Sequence, residues 1–306
     1  MYSKNAMTQA GTRGVLLGAA GQLGFDLART FQLGGELTRL TRAELDLCDA
    51  KAVRETLRRL RPTLVLNAAS YNEVDRAEDD RAGAFAVNAD AVGTLAAACQ
   101  DIGAVLVHFS TDYVFDGRKS TPYFEDDAPN PLSVYAESKL AGERLARERC
   151  ERAFVVRVCG LFGVGRRPEA RPNFADTMLR LAAAGKPIRV VRDQVLSPSY
   201  TLDLAHKTWR IVTRGTPGIY HLTNSGETSW FNFARELFEL CGLTPSLTSV
   251  TAAEFGARAQ RPAYSTLGHG RLREMGEDDL RSWRDGLVAY LRERNHLKTS
   301  SALPGS

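Results

Sequence analysis

The 306-residue sequence predicts an α/β fold, a doubly wound parallel sheet with a smaller C-terminal α/β domain. Three observations lead there. Short apolar runs alternate with amphipathic segments through the first half of the chain. A glycine-rich turn stands between the first run and the first amphipathic segment. After residue 160 the alternation gives way to longer loops and helix-like stretches.

Residues 1–13 are polar, lack the apolar centre of a signal peptide, and read as a flexible leader. Val15-Leu16-Leu17 is the first strand-like run, and further runs follow at Leu37–Leu40, Leu64–Leu66, Val105–Phe109, Phe154–Val158 and Ile188–Val191. The segments Gln22–Phe31, Ala50–Leu60, Ala77–Gln100 and Ser133–Cys150 carry helical periodicity between most of them. Such alternation means βαβ units, whose right-handed crossovers place helices on both faces of a parallel sheet. Gly160–Pro172 reads as a long loop, and Asn173–Ala184 as a helix stopped by Gly185. Gly218–Leu222 is strand-like, while Ser229–Leu240 and Asp279–Arg294 are helix-like. The expected division assigns 14–165 and 186–222 to the sheet domain and 166–185 and 223–298 to a substrate domain. Residues 299–306 form a polar, frayed tail.

Composition narrows the function classes. Lys+Arg 40 against Asp+Glu 36 leaves +4, scattered along the chain, which argues against a nucleic-acid surface. No run of 18 apolar residues predicts a membrane span. The five cysteines (48, 99, 150, 159, 241) form no C-x-x-C pair, and the five histidines lie far apart. No metal site is expected, and free thiols in a cytosolic chain are the simplest reading.

The first chemical signal is Gly18-Ala19-Ala20-Gly21-Gln22-Leu23-Gly24, a G-x-x-G-x-x-G turn after a strand and before a helix. Glycines let backbone approach a pyrophosphate, and the following helix presents its positive end to it. Three glycines at fixed spacing recur by chance roughly 0.2 times in such a chain, so the strand–turn–helix context carries the weight. The second signal is Tyr135 and Lys139, four apart on the predicted helix capped by Ser133, hence on one face. An ammonium one turn away is expected to favour the phenolate and draw the tyrosine pKa toward 7, making it a proton donor to a carbonyl. The third is the end of the fourth strand, where Ser110 and Thr111 offer hydroxyls and Asp112 and Tyr113 follow. Asn67-Ala68-Ala69, one strand over, suits a ribose or adenine edge.

Together these elements resemble the extended short-chain dehydrogenase/reductase superfamily, a Rossmann-type fold. The connecting text is similar to the dTDP-4-dehydrorhamnose reductase family. The matching stretches are Asn67–Glu78, Ser110–Gly117, Pro122–Asp127, Asn130–Leu132, Tyr135 with Ser138–Glu143, Asn173-Phe174, Met178-Leu179, Asp193-Gln194, Gly218–Leu222 and Arg261-Pro262. The resemblance spans about Gly14 to Gly276. It implies an NAD(P)H-dependent 4-ketoreductase of a dTDP-6-deoxy-4-ketohexose, with Thr111, Tyr135 and Lys139 as its triad. Tyr135 would be the proton donor, Lys139 would lower its pKa and hold the nicotinamide ribose, and Thr111 would bond the substrate oxygen. A homodimer is expected only from the family.

Three features depart from the family pattern. Gly160 stands where a tryptophan is expected, and Leu196-Ser197-Pro198 replaces a Gly-Ser-Pro or Gly-Ala-Pro turn; both lie on the substrate side. After the second strand there is no acid until Glu44. Arg39 and Arg42 are placed to pair a 2′-phosphate, Thr41 to bond it, and Asp46-Leu47 to pack along the adenine. The expected cofactor is therefore NADPH, with NADH as the alternative. Asn173, Arg180 and Arg261 are candidates to face the substrate diphosphate. Competing readings are an antibiotic-sugar reductase of the dihydrostreptose-synthase type, an epimerase retaining NAD, and a non-enzymatic relative. A 4,6-dehydratase would carry Asp-Glu after the threonine, where this chain has Asp112-Tyr113.

Overall fold

The computed structural model describes residues 11–31, 34–165 and 172–297; the expectations for residues 1–10, 166–171 and 298–306 lie outside them. In chain order the strands are β1 Thr12–Leu17, β2 Gly35–Leu40, β3 Leu64–Asn67, β4 Val105–Thr111, β5 Ala153–Val158, β6 Leu161–Phe162, β7 Ile188–Val191, β8 Val195–Leu196, β9 Ser199–Tyr200, β10 Gly218–His221, β11 Thr228–Ser229 and β12 Leu247–Val250. The helices are α1 Gln22–Arg29, α2 Ala50–Leu60, α3 Val74–Ala77, α4 Arg81–Phe85, α5 Ala91–Ile102, α6 Val134–Arg149, α7 Phe174–Ala183, α8 Thr201–Arg214, α9 Trp230–Cys241, α10 Ala252–Phe255, α11 Gly270–Glu274 and α12 Trp283–Glu293.

Six parallel strands form the central sheet in the order β2-β1-β3-β4-β5-β10. Strands β3, β4 and β5 are buried on both faces, which is why they read as near-continuous apolar runs. Successive side chains alternate between the faces. Leu16, Leu66, Val107 and Val156 pack against α1 and α8 through Leu23, Leu27, Leu204 and Trp209. Val15, Leu17, Val65, Leu106 and Val155 pack against α2 and α5 through Val53, Leu57, Leu95 and Cys99. Strand order reverses between β1 and β3, so the carboxyl ends of the strands open a crevice there.

Two expectations need correction. Thr12 and Arg13, read as leader, are the start of β1, where Thr12 pairs with Gly35. Ile188–Val191, grouped with the sheet domain, lies outside the central sheet. It pairs in parallel with Leu247–Val250 and packs its side chains beside Phe233 and Met178. A short apolar run shows that a strand forms but not which sheet it joins. The segment Arg81–Ile102 is long and apolar enough to cross a membrane by length and composition, and 56% of its 18-residue apolar part is buried inside the fold.

Candidate active site

Strand β4 delivers Thr111 at its last position, and a 3₁₀ turn over Asp112–Val114 follows. Thr111 Oγ1 accepts from the Tyr113 amide at 3.2 Å and donates to Asp112 Oδ1 at 3.1 Å. Helix α6 starts at Val134 because Ser133 caps it, its Oγ accepting from the Ala136 amide. The Glu78 carboxylate accepts from the Val134 amide at 2.9 Å, placing a negative charge at the helix's positive end. Tyr135 therefore projects from a fixed first turn and Lys139 from the turn after it.

The body of α6 is held as firmly. At Gly142 it comes so close to a π-helical turn, Ala86–Asp90, that a Cβ would lie 2.0 Å from Asn88 O. From that turn the Asn88 amide reaches Tyr71 O at 2.9 Å and Ser138 Oγ at 3.0 Å. Farther along, Glu143 receives Arg157 of β5 in a two-pronged ion pair, with Nη2–Oε2 at 2.7 Å. Arg157 Nη1 lies 3.3 Å from His221 Nε2. His221 Nδ1 faces the carbonyls of Tyr123 and Gly268, so Nδ1 carries the proton and Nε2 accepts from the arginine.

Electrostatics of the pair differ from the expectation. Lys139 Nζ donates to Phe109 O at 2.7 Å, and burial brings its pKa down to about 8 while Glu143 pulls upward. Burial pushes Tyr135 up to about 12 and the nearby Asp112 adds to this, against a hydrogen bond with Thr111 that lowers it. The tyrosine is thus a held acid, because the Lys139 ammonium is directed at the Phe109 carbonyl and burial outweighs the lowering by Thr111. Burial also raises Asp112 to about 6, opposed by hydrogen bonds from Ser265, Cys159 and Thr111.

A cavity of about 500 Å³ brings together Gly21, Gln22, Leu23, Ala68, Ala69, Thr111, Asp112, Tyr113, Tyr135, Lys139 and Asn173. The glycine loop forms one side. Gly18 has φ +74°, and a Cβ there would lie 2.7 Å from the Ala68 and Ala69 backbone. At Gly24 a Cβ would meet Gly18 O at 2.2 Å, whereas at Gly21 the nearest atom is 3.4 Å away. Two glycines therefore pack the turn tightly and the third leaves its outer face open. Helix α1 begins there, with no side chain capping it among the described residues. Ser110 Oγ is buried beside the cavity and has no hydrogen-bond partner among the described residues. An open cradle on a helix end, with hydroxyls and an ammonium opposite, fits a dinucleotide with a reactive ring beside Tyr135.

Other expected residues lie around this cavity. Asn67 is buried beneath the loop, its Oδ1 accepting from the Ala69 amide and its Nδ2 reaching His108 Nδ1 at 3.2 Å. Arg39 and Arg42 flank the end of β2, whose Leu40 carbonyl accepts from the Gly18 and Ala19 amides. Both are exposed, and Arg42 lines a neighbouring cavity with Ser70, Asn72 and Glu73. Thr41 is already engaged, its Oγ1 and amide both bonding Glu44. Asp46 is exposed and 3.9 Å from Arg42, while Leu47 is buried in the core.

Asn173 caps α7 and links Gly163 O at 3.0 Å with Gln22 Oε1 at 3.3 Å, so it joins the glycine loop to the C-terminal part. Arg261 lines a second cavity of about 640 Å³, with its guanidinium forked onto Asp75 at 3.0 and 2.7 Å. Arg180 is exposed and lines neither cavity.

Sequence reasoning missed Trp230, which lines both cavities, and Phe174, packed on it with ring centroids 4.5 Å apart. The sole sequence signal was Ser229, a helix cap that fixes where α9 begins but not what its first residue faces. Glu78 and Asn88 were also missed as supports, since their partners lie 56 and 50 residues away.

The family model described as RmlD substrate binding domain matches residues 12–296. A spore coat polysaccharide biosynthesis protein, SpsK, from Bacillus subtilis (strain 168) is 39% identical over 285 residues, covering 93% of this chain and 98% of that protein. A dTDP-4-dehydrorhamnose reductase from Streptomyces griseus is 40% identical over 284 residues, covering 90% and 92%. Among solved structures, a dTDP-4-dehydrorhamnose reductase from Bacillus anthracis str. Ames, in complex with NADP, superposes with a TM-score of 0.89 at 35% identity, covering 93% of this chain and 100% of that one. With a matching family model over nearly its whole length and relatives this similar from end to end, the chain belongs to the RmlD substrate-binding-domain family.

Proposed function

We propose that this protein is an NADPH-dependent reductase of the 4-keto group of a dTDP-6-deoxy-4-ketohexose, with Thr111, Tyr135 and Lys139 as its catalytic residues. One observation carries the reading: Tyr135, Thr111 and Lys139 line a single cavity with the open side of the glycine turn at Gly21. The coenzyme, when bound, supplies a hydride to the carbonyl carbon. Tyr135 gives its phenolic proton to the carbonyl oxygen, whose π electron pair becomes the new O–H bond. Thr111, on the wall of the same cavity, shares the oxygen. Lys139, an ammonium below its pKa of about 8, stabilises the phenolate left behind.

Gly18, Gly21, Gln22, Leu23, Asn67, Ala68 and Ala69 are the residues we assign to the dinucleotide. Arg39 and Arg42, at the end of β2, are assigned to a 2′-phosphate, which supports NADPH over NADH. Asp112 and Tyr113 are assigned to the sugar side. The cavity of about 640 Å³ adjoins the first through Tyr113 and Trp230 and offers Phe174 to a base, with Arg189 and Arg258 on its wall for a diphosphate that would compete with their contacts to Glu254 O and Asp79. The engagement of Arg261 by Asp75 and of Asn173 by Gly163 O makes these two supports of the pocket walls. All five cysteines are free thiols, which supports a cytosolic setting. The test is oxidation of NADPH on addition of dTDP-4-keto-6-deoxyhexoses of defined stereochemistry, with the product alcohol identified by NMR. No oxidation with any of them would remove the proposal.

A further inference from the structure

The two substrate-side departures from the family pattern, Gly160 and Leu196, are neighbours in space. Gly160 has φ +51°, and a Cβ there would lie 2.8 Å from Leu196 Cδ1, 3.2 Å from Pro198 Cα and 3.6 Å from Trp230 Cη2. That conformation and those contacts admit glycine and disfavour every larger residue. Leu196 is buried, and Trp230 packs against its cluster. Their registry is fixed by the antiparallel β8–β11 ladder, in which Leu196 opposes Thr228 and Val195 opposes Ser229, the residue before Trp230. The Gly160 carbonyl is held by the Ser199 amide at 3.1 Å. Gly160, Leu196 and Trp230 all line the cavity that contains Tyr135 and Thr111, and Trp230 also lines the second cavity. Trp230 therefore stands where the two cavities meet, and Gly160 and Leu196 face the reacting side of that junction.

We propose that Leu196, seated against the side-chain-free Gly160 and beside Trp230, is the specificity-determining surface that reads the deoxygenated C6 of the sugar. Leu196 and the Trp230 ring offer carbon surface to a methyl group. A 6-hydroxyl placed against Leu196 would lose water without gaining a partner from that side chain. Gly160 is part of the same device, since a Cβ at 160 would meet the tip of Leu196 and force it to shift.

This inference rests on the ketoreductase reading, and the experiment separates the two. The kcat and KM of the wild type are measured with NADPH and two dTDP-4-ketohexoses that differ only in carrying CH3 or CH2OH at C5. An apolar wall gives a preference for the 6-deoxy sugar of about 10–100-fold in kcat/KM. Leu196→Ser is expected to bring that ratio within about 3-fold, with the NADPH Kd unchanged. Gly160→Ala is expected to raise the KM for the 6-deoxy sugar about 10-fold, and Gly160→Ala with Leu196→Ala to recover part of it, since the clash is then relieved. An unchanged ratio in Leu196→Ser overturns the wall, as does a double variant no better than Gly160→Ala alone. Turnover of neither sugar by the wild type overturns the ketoreductase reading and this inference with it.

Discussion

Replacing Glu143 by Gln isolates the charge that anchors the helix of the candidate acid. Arg157 and Glu143 are 2% and 3% exposed at the side chain, and three contacts of 2.7–3.2 Å join them. In Glu143→Gln the guanidinium stays buried, facing only neutral groups. His221 offers no negative charge, because burial first and the Arg157 charge second hold its pKa near 3 and keep it neutral. Removing one partner of such a pair costs about 3–5 kcal/mol. At roughly 2–4 °C per kcal/mol for a chain of this order, the midpoint should fall by about 10 °C. Thermal unfolding followed by circular dichroism measures it. Glu143→Leu with Arg157→Met should recover most of the loss, because the penalty lies in the orphaned charge. The same substitution removes the group that raises the Lys139 pKa, so the alkaline limb of kcat should move to lower pH. A Glu143→Gln variant within 1 kcal/mol of wild type, or an apolar pair as unstable as the single variant, would refute this reasoning.

Three further outcomes follow from the same geometry. Gly18→Ala places a Cβ 2.7 Å from rigid backbone at a positive φ, so NADPH affinity should fall at least about 10-fold by titration, with kcat at saturation less affected. Arg39→Ala with Arg42→Ala should lower kcat/KM for NADPH at least about 10-fold and leave NADH nearly unchanged; equal losses with both would count against a 2′-phosphate site there. Burial raises the pKa of Glu277, but hydrogen bonds and charges from Arg210 and Lys207 outweigh it and hold it at about 2. That contribution is fully present above the unfolded value of 4.5 and is lost as pH falls through about 2. The shift is worth about 3 kcal/mol at full value and about 1–2 after screening of the half-exposed arginines, so Glu277→Gln should destabilise at pH 7 and be nearly silent near pH 2 in urea melts.

Much of the site was legible because its chemistry is local in sequence. The glycine turn occupies seven consecutive residues, Tyr135 and Lys139 are one helical turn apart, and Thr111 ends a strand whose apolar run announces it. What was illegible is what distant segments do to these groups. Lys139 was expected to lower the tyrosine pKa and hold the nicotinamide ribose; the Phe109 carbonyl, 30 residues away, accepts from its ammonium, and burial raises the phenol. Arg261 carries a family motif, but Asp75, 186 residues earlier, claims its guanidinium. The strand at Ile188–Val191 was found and misplaced, because its partner begins at Leu247 and periodicity carries no pairing information. Trp230 escaped notice since a helix cap locates a helix start without orienting it in the tertiary fold.

Tyr135→Phe assayed for turnover and coenzyme binding in the same preparation is the most direct trial of the proton-donor assignment. Loss of the phenolic proton should lower kcat by about 10²–10⁴ with a dTDP-4-keto-6-deoxyhexose, while the NADPH Kd stays within about 3-fold of wild type. Wild-type turnover in that variant would contradict the assignment of Tyr135 as the acid.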